Sequence, residues 1–130
     1  MKNIITILLI LILPIVAYVL LNKNSNNIIA NAKENNLPTL MTFSSTMCLD
    51  CQKMKGVISE VEKEYNSKIN FVSINALDKN RKIKDYIKKY GVVLVPTMVF
   101  VDQNGNMTNK IEGYIPKEQL ITELEEAING

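Results

Sequence analysis

An unbroken apolar run, Ile4 to Leu21, opens the chain, and short apolar stretches alternate with polar and charged ones from there to the end. The run holds eighteen residues and no charge. As a helix it would reach about 27 Å, close to the hydrocarbon thickness of a bilayer. It is therefore expected to be a membrane span, with Pro14 tolerated inside it. A cleaved secretory signal is the competing reading. Its apolar region is usually about 7 to 15 residues long and ends in a small-x-small site, whereas this run ends Val19-Leu20-Leu21-Asn22-Lys23, which favours a retained anchor. Asparagine-rich sequence follows, with Ile28, Ile29 and Ala32 on one face of a short expected helix over Asn26 to Glu34.

Beyond Pro38 the periodicities become sharper. Thr39 to Phe43 is a short apolar run bounded by turn-formers and reads as a buried strand, after which Ser44, Ser45 and Thr46 offer capping oxygens. Met54, Val57, Ile58, Val61 and Tyr65 recur at helical spacing and predict a helix over Leu49 to Tyr65, weakened at Gly56. Ile69 to Ile74 is expected to be a strand. Asn80 to Tyr90 is expected to be a helix, with Ile83, Tyr86, Ile87 and Tyr90 inward and Lys82, Lys84, Lys88 and Lys89 on a solvated face. Met98 to Val101 and Met107 to Glu112 flank Asn104-Gly105, a hairpin signal. Gly113 ends the second of these strands, and Pro116 opens a helix whose buried face is Leu120, Ile121, Leu124, Ala127 and Ile128.

Helices alternating with strands, followed by a hairpin and a last helix, imply an α/β fold. The expected sheet is mixed and four-stranded, with helices on both sides. The expected organisation is an anchor at 1–23, a tether and first helix at 24–37, and one domain at 38–130. Charge changes this picture little. With Lys2 and Lys23 set aside, 13 basic residues face 13 acidic ones, a balance that argues against a nucleic-acid partner. The chain has no histidine, which excludes a Ser-His-Asp hydrolase and a histidine metal centre.

Thiol chemistry is what remains, and both cysteines sit in Met47-Cys48-Leu49-Asp50-Cys51. Cysteines three apart at a helix start stand about one turn from each other, with Cβ atoms about 5 to 6 Å apart, within reach of a disulfide. At the positive end of the helix dipole Cys48 would be favoured as thiolate, while Cys51, one turn further in, would be shielded. A structural staple is the plain alternative, but so small a ring braces a chain weakly, by about 2 kcal/mol. A metal site would need thiolates from two chains, since one chain supplies only two. No metal and no cofactor are expected.

A strand running into a Cys-x-x-Cys helix start, then Val95-Pro96-Thr97 opening a hairpin, a later glycine and a closing amphipathic helix together resemble thioredoxin, over about Leu37 to Asn129. The resemblance implies that Cys48 is the attacking thiol and Cys51 the resolving one. It also implies that Pro96 is a cis proline beside Cys48, and that the backbone of Val95 pairs with an extended substrate segment. An ordinary trans proline at a strand edge is the alternative for Pro96. Departures from the family pattern are specific. Met47 replaces the usual tryptophan, Leu49-Asp50 replaces Gly-Pro, Gly56 replaces a helix proline, and the family's first strand has no counterpart. Thr42 stands where the family has a buried acid that deprotonates the second cysteine, which leaves Asp50 or a water for that task.

The carboxylate of Asp50 would raise the Cys48 thiol pKa modestly, and no histidine lies between the cysteines to stabilise a thiolate, so a reductant is expected rather than an oxidant. Lys2 against Lys23 favours a cytoplasmic N-terminus slightly, which would put the domain on the extracytoplasmic side. The expected partners are disulfide-containing protein substrates and, by resemblance, a membrane thiol carrier that supplies electrons from the cytoplasm. An outward-facing oxidase or isomerase, and a non-catalytic accessory module on the same scaffold, are the other two readings.

Overall fold

The computed structural model describes residues 2–22 and 36–130, so the expected helix at 26–34 and most of its tether lie outside the described residues. Helix α1 runs Lys2–Asn22 with Pro14 inside it. Its described side chains are exposed. Among the described residues no helix is long and apolar enough to cross a membrane, so the span expected over Ile4 to Leu21 is not shown.

Strand β1, Thr39–Ser44, is at the centre of the fold and is buried along its length except at Ser44. It pairs in parallel with β2, Asn70–Asn75, placing Thr39 opposite Asn70 and Ser44 opposite Asn75. On its other side it pairs antiparallel with β3, Thr97–Val101, and β3 pairs antiparallel with β4, Met107–Glu112. The sheet order is β2-β1-β3-β4. A parallel pair cannot be closed by a tight turn. Helix α2, Leu49–Tyr65, makes the crossover from β1 to β2.

Side-chain alternation along the strands separates two cores. Leu40, Met98 and Phe100 face one side, where they meet Met54, Val61 and Tyr65 of α2 and Leu120 and Leu124 of α4, Lys117–Asn129. Met41, Phe43, Val99 and Val101 face the other side, covered by α3, Arg81–Lys89, through Ile83, Tyr86 and Ile87. Each fully buried Leu, Phe or Met contributes about 1.5–3 kcal/mol, so the two central strands tie both layers together. The lysines of α3 are exposed. Gly56 leaves α2 unbroken.

One local expectation is refined. Capping of α2 is not done by Ser44, Ser45 or Thr46; the N-cap is Cys48 itself, while the Ser45 hydroxyl accepts the Met47 N–H in the turn before. The hairpin forms as expected, through the five-residue connection Asp102 to Asn106, with a register shift at Phe100/Val101. Asp102 organises that loop. One of its carboxylate oxygens accepts the N–H groups of Asn104 and Asn106, both at 2.8 Å, and Gly105 takes the left-handed φ of 87°.

The Asn106 backbone hydrogen bond, joined by the Asn106 side chain and by Asn104, outweighs the opposing desolvation and holds the Asp102 carboxyl below its ordinary pKa. A depressed folded pKa stabilises above the unfolded carboxylate value and is lost as pH falls through the folded one. Amide exchange at Asn104 and Asn106 is therefore expected to stay slow, relative to intrinsic rates, from neutral pH down to the carboxylate range and to accelerate on further acidification. Asp102→Ala should remove that acid-dependent step, and an unchanged step in the variant would refute the assignment.

Candidate active site

Residues after β1 turn sharply, with the Cys48 N–H donating to Ser45 O at 3.4 Å, and α2 then begins. Cys48 has extended backbone angles, φ −104° and ψ 119°, and its sulfur accepts the Cys51 N–H at 3.1 Å. A sulfur thus does what a serine or aspartate oxygen does at most helix starts. Amide donation and the helix dipole both favour negative charge on that atom. Cys48 is half-buried, whereas Cys51 is only 3% exposed. The two are joined as a disulfide with Cα atoms 5.2 Å apart.

Opposite Cys48 lies the loop that leads into β3. The Val95–Pro96 peptide is cis, and Val95 O lies 3.7 Å from Cys48 Sγ. Three bonds hold this loop from outside it. The Thr97 hydroxyl donates to Leu94 O at 2.7 Å, the Gly113 N–H donates to Pro96 O at 2.7 Å, and Lys110 Nζ donates to Gly91 O at 3.0 Å. Gly113 reaches its position with φ 93°, which glycine adopts without a side-chain penalty. Apolar side chains next to these elements stay in solvent, with Met47 at 88%, Leu49 at 75% and Val93 at 82% exposed.

Behind Cys51, between α2 and the outer strand β2, is a cleft of about 210 Å³ whose lining includes Thr42, Ser44, Cys51, Lys55, Glu62 and Ser73. No group of three or more His, Cys, Asp or Glu able to hold a metal occurs among the described residues.

This arrangement of strand, disulfide-capped helix and cis-proline loop agrees with the sequence comparison. A family model for the thioredoxin-like domain matches residues 25–128. The chain belongs to the thioredoxin-like family. Its similarity to other thioredoxin-like chains is moderate. It is 33% identical over 95 residues to a thioredoxin of Pyropia yezoensis, covering 73% of this chain and 84% of that one. It is 29% identical over 90 residues to the chloroplastic thioredoxin-like protein HCF164 of Arabidopsis thaliana, covering 69% of this chain and 34% of that one. The Synechocystis homologue of the thiol:disulfide interchange protein TxlA is 32% identical over 99 residues, with 74% and 54% covered. The chain therefore spans about a third to a half of the length of several of these relatives. Among solved structures, the Drosophila melanogaster germline thioredoxin Deadhead superposes with a TM-score of 0.64 at 21% identity, over 80% of this chain and 92% of that one, a likeness of fold.

Within this thioredoxin-like site, Cys48, Cys51, Val95 and Pro96 come together, and Met47 stands beside them in solvent. Asp50 is placed differently from its expected use. Its carboxylate is exposed and pairs with Lys53 at 3.3 Å, so that an ammonium offsets part of its field at Cys48, and it does not line the cleft behind Cys51. Thr42 does line that cleft. Sequence reasoning passed over Lys110 and the hydroxyl of Thr97, whose bonds only the folded loop reveals, and Lys55, whose spacing of four from Cys51 was readable.

Proposed function

We propose that the chain is a membrane-tethered thiol-disulfide oxidoreductase that reduces disulfides in extracytoplasmic proteins. The observation that carries the redox part is a half-buried sulfur at a helix start bonded to a buried sulfur one turn inside. In the dithiol form the Cys48 thiolate attacks one sulfur of a substrate disulfide. That S–S bond breaks, one substrate thiolate leaves, and a mixed disulfide remains. The Cys51 thiolate then attacks the Cys48 sulfur, the second substrate thiolate leaves, and the Cys48–Cys51 bond forms. Two electrons pass to the substrate, and the two protons lost by the chain's thiols balance those taken up by the substrate's. In this reading the backbone of Val95, whose carbonyl lies 3.7 Å from Cys48 Sγ, pairs with an extended substrate segment. The printed name of the TxlA homologue, a thiol:disulfide interchange protein, supports the same reaction class.

The tether rests on the uncharged run Ile4 to Leu21, and the outward orientation on the lysines flanking it. An outward reductant needs electrons from a membrane thiol carrier. The absence of histidine between the cysteines supports reduction over oxidation; the Lys53 partner of Asp50 weakens the second support. Titrating the dithiol against glutathione, together with labelling Cys48 from outside intact cells in its reduced form, tests direction and topology. A low potential and external labelling are expected. A potential at the strongly oxidising end would make the chain an oxidase, and no exchange at all would leave only an accessory module.

A further inference from the structure

We propose that Lys55 activates Cys51, its ammonium lowering the pKa of the resolving thiol in place of a buried carboxylate; this rests on the exchange reaction above. Cys51 is 3% exposed, and burial by itself pushes a thiol pKa up. Resolution nevertheless requires its thiolate. The strand residue facing it across the cleft is Thr42, which carries no charge and takes no proton at ordinary pH. The other strand residues lining the cleft, Ser44 of β1 and Phe71, Val72 and Ser73 of β2, are likewise uncharged. On α2 the cleft holds two charged residues, Lys55 and Glu62.

Their spacing decides between them. Lys55 is four residues beyond Cys51, on the same face and about 5 to 6 Å away at Cβ, and helical side chains lean toward the N-terminus, so its stem points back along the turn that carries Cys51. Glu62 is eleven residues beyond, about three turns and roughly 16 Å along the axis, where its opposing charge is weak. A neighbouring cleft, toward Gln52 and Asn75, is lined by Cys51 and Lys55 again. Lys55 has no ion-pair partner among the described residues, whereas Lys53 is tied to Asp50 and faces away. The proton leaves Cys51 for solvent through the cleft, whose wall at Lys55 and Ser73 is exposed, and the ammonium holds the thiolate until it attacks Cys48.

The test uses the reduced full chain in detergent micelles and an aromatic disulfide reagent whose thiolate absorbs light. Attack by Cys48 releases the first thiolate and resolution by Cys51 the second, so two phases report the two sulfurs separately. Lys55→Gln is expected to slow the second phase about three- to tenfold at neutral pH and to move its pH midpoint upward. Lys55→Arg should restore both, and Lys55→Glu should slow it further. A second phase with the same pH midpoint in Lys55→Gln as in the unaltered chain overturns the proposal, as does an equal loss in Lys55→Arg. If the unaltered chain shows neither phase, the exchange reaction itself fails and this role fails with it. Because Lys55 is exposed, an unchanged thermal midpoint is expected in every variant, which separates charge from folding.

Discussion

Cys48→Ser is expected to reduce insulin-type disulfide reduction to the uncatalysed background, while Cys51→Ser accumulates substrate as a covalent adduct on Cys48. The two outcomes differ because the sulfurs are placed differently. Cys48 is the half-buried one, within 3.7 Å of Val95 O at the edge where a substrate strand would lie, so its removal leaves no accessible nucleophile. A serine there is still a good N-cap and can accept the Cys51 N–H, so α2 should begin where it does now and the loss is one of chemistry. In Cys51→Ser the first attack proceeds but nothing inside the protein can displace the substrate, and the adduct is visible by mass or on a non-reducing gel. Ordinary turnover in either variant would remove the scheme.

The second large effect is on stability. Phe100 is fully buried near the end of β3, and it meets both α2 and α4 in the larger core. Phe100→Ala removes the ring and leaves a void that two helices and a sheet can only partly fill, at a cost of about 3–5 kcal/mol. Small domains are stable by about 5–15 kcal/mol in all. A thermal midpoint lowered by roughly 12 °C or more is therefore expected for a domain of this size, read by circular dichroism. A drop of only a few degrees would mean that the core repacks around the site. The cysteines should still pair in the folded fraction, since Phe100 does not line the cleft behind them.

Most of the fold was legible because its apolar positions recur at unambiguous periods. The spacing from Met54 to Tyr65 gave α2 its observed bounds, and Thr39 to Phe43 gave β1 to within one residue. The parallel pairing of β1 with β2 followed from the crossover through α2. What was missed has a common physical origin. The cap on α2 was assigned to oxygens because Ser and Thr are the usual donors of lone pairs there, and sulfur competes for the same amide only once the turn at Ser45 has formed. The bonds from two amides to Asp102 that organise the β3–β4 connection are likewise a detail that a dipeptide signal does not encode.

At the site, the Cys-x-x-Cys spacing marked a pair of sulfurs able to bond, and the structure brings that bonded pair to Val95 and the cis proline. Asp50 was harder to read, because sequence distance to Cys48 says nothing of which way a carboxylate turns, and Lys53 three residues on draws it outward. The bracing of the cis-proline loop by Lys110, Thr97 and Gly113 arises from contacts between β4, β3 and the loop. No local pattern announces it.

Because the atom that closes the first turn of α2 is also the sulfur proposed to attack, the helix start and the proposed chemistry are one piece. Whichever partner that atom bonds, its lone pairs can still receive the same amide. Changing hands therefore asks little rearrangement of the backbone, and the domain can trade electrons repeatedly without loosening the element that aims them.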